Sequence, residues 1–394
     1  MCSSDLQFFI NTANAPPWGS ETRIPGPISL SNPFSNSAGI SNIFPIKFDV
    51  NAPFSLAGPF IALKYDQKTT GVHSWNLAIQ RQLSSDWLVS ATYLGNETQH
   101  LWVSTQANPG VDLGQGPCTL PNGVTYNPCT QSGNLNQRRV LSLKNYTEGK
   151  YIGYMDQFDD GGTQSYQGLL LSAQKRLKNN ISASVNYTWS HCIGDFTQGG
   201  TTPNVGTGYL DPNNRRFDRG NCQSDRRNIF NLTIVGQTPK FSNALVRAAA
   251  TGWRLSGIYR YASGAPMTVI INDRQLNGNT GQRPNQILAN AYGTGYLTGY
   301  LNLAAFSLPD IGKLGNMSRF ALVGPPNFTL DTALSREFKI REHHTFEIRG
   351  EAFNLTNSLR RGTPNLNFST TNTFGNILSA GDPRIVQFAV KYAF

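Results

Sequence analysis

The sequence predicts an all-β protein, an antiparallel transmembrane β-barrel with short turns at one end and long loops at the other. Three observations carry that reading. Segments of roughly 10 residues alternate apolar and polar side chains, and this is about the length a tilted strand needs to cross a bilayer. Tight turns and long connections rich in Gly, Asn and Pro alternate between those segments, as in barrels and unlike compact soluble domains. Long helical periodicities are missing, and no run approaches the roughly 18 apolar residues of a membrane helix. A mean hydropathy of −0.34 is compatible with a barrel, because only alternate residues of each strand meet lipid.

The clearest hairpin runs from Gln167 to His191. Leu169, Leu171, Ala173 and Leu177 share one parity, with Ser172, Gln174 and Arg176 on the other. After a turn at Lys178-Asn179-Asn180, Ile181, Ala183, Val185, Tyr187 and Trp189 alternate with Ser182, Ser184, Asn186, Thr188 and Ser190. Successive strand side chains point to opposite faces, so the hairpin has one apolar face and one hydroxyl- and amide-rich face. Tyr187 and Trp189 end the apolar face with the residue types that settle at a lipid–water boundary.

In chain order, residues 1–71 read as an irregular Pro/Gly/Asn/Ser-rich segment with a partial strand over residues 4–10. Residues 72–394 read as barrel. Trp75, Leu77 and Ile79 oppose Ser74, Asn76, Ala78 and Gln80. A turn at Ser84-Ser85-Asp86 leads into Trp87, Val89, Ala91 and Tyr93. A long connection follows, from about Leu101 to Gly162, and after Trp189 a second runs from Cys192 to Asp225. Phe230, Leu232 and Ile234 form the next strand, and a connection through Lys240 to Arg247 reaches Trp253, Leu255, Gly257, Tyr259 and Tyr261. Beyond a loop from Gly264 to Pro325, Phe328, Leu330, Thr332, Leu334 and Phe338 form one strand, and after a turn at Arg341 to His344, Phe346, Ile348, Gly350 and Ala352 form another. Phe353 and Leu355 break parity, where a bulge is expected. The last strand carries Val386, Phe388, Val390, Tyr392 and Phe394.

Charge placement separates lipid from lumen. A basic side chain at mid-bilayer costs about 2–4 kcal/mol, falling to about 0–1 at the interface. Arg254, Arg260, Asp331, Glu347, Arg349, Glu351 and Lys391 all take the polar parity and are assigned to a wet lumen. Arg81, Lys175 and Arg336 take the other, each just before a short turn where a long side chain reaches headgroups. The lipid-facing set is Trp75, Leu77, Ile79, Val89, Tyr93, Ile181, Val185, Tyr187, Trp189, Trp253, Val386, Phe388 and Val390. The net charge of +10 comes from basic residues scattered over strand ends and loops. It therefore reads as solvated rims attracted to anionic headgroups, and no nucleic-acid partner is assigned. Met1-Cys2-Ser3-Ser4-Asp5 lacks the basic start and apolar core of a signal peptide, so the protein is either cytoplasmic or the later part of a longer chain, and the second reading is preferred.

At these residues the chain resembles a family. Ser74 to Leu83 (SWNLAIQRQL), Tyr166 to Leu177 (YQGLLLSAQKRL), Ala183 to His191 (ASVNYTWSH), Asp218 to Phe230 (DRGNCQSDRRNIF), Gly252 to Pro266 (GWRLSGIYRYASGAP), Glu351 to Asn357 (EAFNLTN) and Pro383 to Phe394 follow one another as in TonB-dependent outer-membrane receptors. The match is to the Oar-like branch, whose full-length members begin with a carboxypeptidase-regulatory-like domain. Barrels of this family close with 22 strands. Counted with the partial strand at the start, the chain supplies about ten, the C-terminal portion. The resemblance implies short turns in the periplasm, long loops outside the cell, and a final strand whose Tyr392 and Phe394 address the barrel-assembly machinery. It implies binding and energy-coupled uptake of an unidentified solute, with TonB contacting N-terminal parts absent from this chain. Two other readings stand beside it: a surface adhesion or binding barrel, and a secreted β-sandwich module binding glycans.

The site candidates lie in the loops. Cys118 and Cys129 share one loop, and Cys192 and Cys222 the next; two local disulfides or free thiols fit, and CxxC metal spacing is absent. Asp211, Arg215, Arg216, Asp218 and Arg219, followed by Asp225, Arg226 and Arg227, form a mixed-charge loop. It either holds an anionic or polyhydroxylated ligand at the barrel mouth or is an internal salt-bridge network. Asp156, Asp159 and Asp160 before Gly161-Gly162 lack the alternate-ligand spacing of a calcium loop. The histidines assemble no triad, and no phosphate loop, dinucleotide fingerprint or zinc pattern occurs. No catalytic residue, metal or cofactor is assigned, and an enzyme is not expected.

Overall fold

A computed structural model describes residues 31–32, 51, 54, 56–178, 180–195, 208–211, 213–271, 281–310, 313–341 and 344–394. Ten strands of six residues or more organise it: β1 (Gly58–Leu63), β2 (Gly71–Gln82), β3 (Trp87–Gln106), β4 (Ile152–Lys178), β5 (Ile181–Gly194), β6 (Asn228–Gln237), β7 (Trp253–Ala262), β8 (Asn327–Arg341), β9 (His344–Phe353) and β10 (Ile385–Ala393). Strands β2 to β10 form one antiparallel meander in which each pairs with the next in sequence. Among the described residues β2 and β10 are its free edges, so the sheet is a partial, unclosed barrel wall. The partial strand expected at 4–10 lies outside the described residues, as do Asn179, Glu342 and His343 in two of the tight turns.

The register shows why the alternation matters. Directly opposed residues of an antiparallel pair share a face. One cross-sheet row reads Ile79, Ala91, Leu171, Tyr187, Phe230, Tyr261 and Phe328. The neighbouring row on the other face reads Gln80, Ser90, Ser172, Asn186, Asn231, Arg260 and Thr329. The two periodicities therefore merge into two continuous surfaces. Ile181, Val386 and Val390 are 44%, 54% and 68% exposed, and Val185 is half-buried; among the described residues no second sheet covers them. The climb from Ile181 to Trp189 takes roughly 27 Å of strand at about 3.4 Å per residue, or roughly 20 Å of height when tilted as barrel strands are, close to the ~25 Å apolar band of outer-membrane barrels. At the top of that band, the Tyr187 hydroxyl donates to Asn228 Oδ1 at 2.6 Å, and the Tyr93 hydroxyl donates to Gln167 Oε1. Trp75 lies over Gly95, where an added Cβ would sit 2.6 Å from Trp75 Cε2.

Short and long connections alternate. The links β2–β3, β4–β5, β6–β7 and β8–β9 lie at one end; β3–β4, β5–β6, β7–β8 and β9–β10 lie at the other, here called the upper end. Several expected boundaries shift. The connection from Leu101 to Gly162 is shorter than expected because β3 and β4 run on above the band, with register shifts between Thr98 and Val103. The segment before residue 72 is not wholly irregular: β1 pairs in parallel with the upper part of β4. The Lys240 to Arg247 connection contains a helix, Ala244–Ala250, whose N-cap Asn243 accepts from Leu245 N and Val246 N. Arg336, one of the cations on the apolar parity, donates to Thr251 O at 3.2 Å and to Ala248 O at that helix's C-terminal end. Lys175 likewise turns its Nζ to Lys178 O at 3.1 Å and Ile181 O at 3.3 Å. The bulge expected near Phe353 does not occur: β9 pairs regularly with β10 through Phe353. The strand then ends at Asn354, whose left-handed φ of 51° turns the chain, so Leu355 has left the sheet.

The dry core of the molecule lies in the upper loops. The loop from Gly264 to Pro325 packs, over its described residues, with the β9–β10 loop around Met267, Val269, Leu301, Phe306, Met317 and Phe374. Phe306, Phe368 and Phe374 meet edge-to-face with centroids 5.5–6.2 Å apart. Two-residue ladders, Pro266–Met267 with Leu322–Val323 and Asn285–Gln286 with Phe306–Ser307, stitch this cap.

Candidate functional site at the upper end of the polar face

The polar face carries a cavity of about 320 Å³ at its upper end. Asn96 on β3, Gln164 and Tyr166 on β4, and Thr188 and Ser190 on β5 form its floor, and Ser224, Asp225 and Arg226 of the β5–β6 loop border it. The strands place these groups by register: Asn96 is opposite Tyr166, and Tyr166 is opposite Cys192. Tyr166 lies along its own strand over Gly168, where an added Cβ would sit 2.9 Å from the phenolic oxygen. Gly168 thus lets the ring rest against the wall instead of spanning the lumen.

The border is tied down. Asp225 Oδ1 accepts from Cys192 N at 3.0 Å, and Oδ2 stands 3.2 Å from His191 Nδ1. Ser190 Oγ donates to Arg226 O at 3.2 Å. Cys192 is disulfide-bonded to Cys222, so the strand top and the loop are also joined covalently. In the preceding loop Cys118 is bonded to Cys129.

The mixed-charge loop is spent largely on structure. Arg215 grips Asp159 with two hydrogen bonds of 3.1 and 2.5 Å. Arg219 donates to Thr163 Oγ1 at 2.6 Å and lies 3.6 Å from Asp195. Asp218 is buried, accepting from Leu210 N at 2.7 Å and from Arg283 Nη1 at 2.5 Å. Asp211 accepts from Asn213 N within a local turn at 3.0 Å; Arg216 is exposed. These pairs fasten the loop to β4, to the top of β5 and, through Arg283, to the cap. Burial pulls the nearby Arg319 guanidinium down to about 10 and pushes the Tyr209 phenol above its ordinary range. Asp156, Asp159 and Asp160 do not converge: Asp159 serves Arg215, and Asp160 accepts from Lys68 N and lies 3.5 Å from Lys64. No group of three or more His, Cys, Asp or Glu side chains among the described residues could hold a metal.

Sequence reasoning missed Asn96, Gln164, Tyr166, Thr188 and Ser190 as a site, although all five sit on the polar parity next to long loops, which was the available signal. Arg283 carried none: it lies 65 residues from Asp218 in a different loop.

An antiparallel meander that is apolar on one face and polar on the other, with all its long loops at one end, defines a stretch of outer-membrane barrel wall. The profile of the outer membrane beta barrel domain matches residues 3–387, and the chain belongs to that family. It is a protein of the outer membrane. No curated protein sequence matches it. Among solved structures it is similar to the outer membrane transporter YddB from Escherichia coli, at 12% identity and a TM-score of 0.45 over 86% of this chain and 35% of that one. It is also similar to the FrpB iron transporter from Neisseria meningitidis, at 11% identity and a TM-score of 0.38 over 85% and 33%. A third is the pyoverdine outer membrane receptor FpvA from Pseudomonas aeruginosa PAO1, at 12% identity and a TM-score of 0.39 over 82% and 30%. The chain spans about a third of the length of these structures.

Proposed function

We propose that the chain is wall and outer loops of a TonB-dependent receptor that binds a solute outside the cell and passes it inward. The observation that carries this reading is the cavity on the polar face, floored by strands whose opposite side chains form the apolar surface. In this reading Trp75, Leu77, Ile79, Val89, Tyr93, Ile181, Val185, Tyr187, Trp189, Trp253, Val386, Phe388 and Val390 meet hydrocarbon. Strands beyond β2 and β10 close the barrel, since an unpaired edge in lipid leaves backbone groups unsatisfied. Tyr392 on β10 and Phe394 just after it present the assembly signal, and energy comes from TonB through segments outside this chain. The sequence stretches quoted above support the Oar-like branch within this reading.

The test has two parts. The chain in outer membranes should need detergent for extraction and migrate differently in gels before and after boiling. Solute accumulation in the producing cell should then collapse when TonB is deleted, and accumulation that survives deletion sinks energy-coupled uptake. Exposed Ile287, Leu288, Tyr296 and Leu378 on the cap favour a second reading, a surface adhesion barrel. Under that reading, cells lacking the chain lose attachment and keep uptake.

A further inference from the structure

We infer that the solute is an uncharged, polyhydroxylated molecule of the oligosaccharide class, taken into the cavity at Tyr166 and passed down the neutral part of the polar face. This rests on the receptor reading and adds the chemistry of its cargo. The polar face is divided. Over β7 to β10 it carries Arg254, Arg260, Asp331, Arg349, Glu351 and Lys391, several already paired, as Arg260 is with Asp331 at 3.9 Å and Arg349 with Glu351. Over β2 to β6 it is uncharged above the lower rim, with hydroxyls and amides interleaved with Leu88, Leu94, Leu170, Ile229 and Val235. The row Gln80, Ser90, Ser172, Asn186, Asn231 crosses it, and below lies Gln174, Ser184, Thr233. Charge returns on β4 only at the lower rim, at Arg176 and at Lys178, which pairs with Asp86 at 3.2 Å.

The cavity lies at the upper end of this neutral half. Its one carboxylate, Asp225, has both oxygens occupied by Cys192 N and His191, so it offers a cationic solute little. An ionic solute leaving water needs counter-charges along its way, and between Arg226 at the border and Arg176 at the lower rim the neutral half supplies none. A sugar needs the opposite: many exchangeable neutral hydrogen bonds and an apolar surface for its C–H faces. Asn96, Gln164, Thr188 and Ser190 supply the first, and Tyr166, held against the wall over Gly168, supplies the second. Arg226 at the border donates to ring or hydroxyl oxygens. Below the cavity Thr92 and Thr188, then the row from Gln80 to Asn231, repeat the same neutral bonds, and Leu170 and Ile229 between them offer further apolar surface to C–H faces, so a sugar can step downward without a deep trap.

The test uses the receptor that contains this chain, extracted from outer membranes in detergent, on a printed array of neutral and uronate- or sialate-bearing oligosaccharides. Binding to neutral members is expected. Tyr166→Ala should weaken it about tenfold or more, while Tyr166→Phe, which keeps the ring, should retain it. Gly168→Ala, whose methyl displaces the ring, should weaken it with Tyr166 still present; Lys391→Gln on the charged half should leave it unchanged. Binding confined to acidic members, no binding to any neutral member, or neutral binding indifferent to both Tyr166→Ala and Gly168→Ala overturns the assignment. A receptor containing this chain that inserts in the outer membrane and fails these tests retires the sugar class alone. Failure of that receptor to insert retires the receptor reading.

Discussion

The wall and the cap solve the burial problem in opposite ways. In the wall, large apolar side chains such as Leu77, Ile79, Phe388 and Val390 stand exposed on one face and the other face is polar. In the cap, Phe306 is 4% exposed and Val269 is fully buried, as in a soluble core. The wall leaves its apolar surface to the membrane and satisfies its backbone by strand pairing. The cap stands in water and must bury its own. The same contrast applies to charge. Arg283 and Asp218 pair with 2% and 4% of their side chains exposed, whereas the Arg260 of the Arg260–Asp331 pair is 59% exposed. One chain therefore holds two kinds of interior, and a given substitution should mean different things in each.

The sharpest contrast is the same change made twice. Asp218→Asn leaves Arg283 charged, buried and without its carboxylate, and should cost about 3–5 kcal/mol. Asp331→Asn, beside a solvated arginine, should cost about 0–1 kcal/mol. Pulse proteolysis of the loops, with the gel-shift of the intact barrel as reference, reads both, and equal costs would erase the distinction. Phe306→Ala should cost the cap about 3–5 kcal/mol and raise hydrogen exchange over residues 264–325, while strand amides in β4 and β5 stay protected. Next, Val185→Arg should destabilise the inserted barrel by about 2–4 kcal/mol if that side meets lipid, and its neighbour Asn186→Arg by little. Reversal of that order in denaturant titrations would invert the assignment of the two faces.

The smallest effect is a pH dependence at the lower turns. The Ser84 hydroxyl, with Lys178 and Lys175, holds the Asp86 carboxyl below its ordinary value of 3.8. A lowered carboxyl pKa stabilises the fold above the unfolded value, and that contribution is lost as pH falls through the folded one. Cross-linking or exchange at residues 84–86 should therefore loosen only below about pH 4, with Asp86→Asn insensitive to pH across that range.

How much of this was readable beforehand follows the same division. Ile181, Val185, Tyr187 and Trp189 could be placed on one face without coordinates, because a period of two is local and each strand declares its parity within ten or so residues. The alternation of Ser84-Ser85-Asp86 turns with long loops was equally local. The paired cysteines were legible as neighbours in their loops. The cap was not: Met267, Leu301 and Phe374 are scattered over two loops with no period. Nor was the extension of β3 and β4, where register shifts beyond Thr98 break the alternation. For the mixed-charge loop the residues could be named but not their partners, since Asp159 and Arg283 come from 56 and 65 residues away.

The sequence by itself determined an antiparallel wall with one apolar and one polar face, since strand alternation and turn chemistry need no distant partner. Only the tertiary structure decided that the upper loops enclose a dry core, that Asp218 faces Arg283, and that Asn96, Tyr166 and Ser190 surround one cavity. Such meetings depend on register between strands and on loop packing, and no residue signals either from its own stretch of chain.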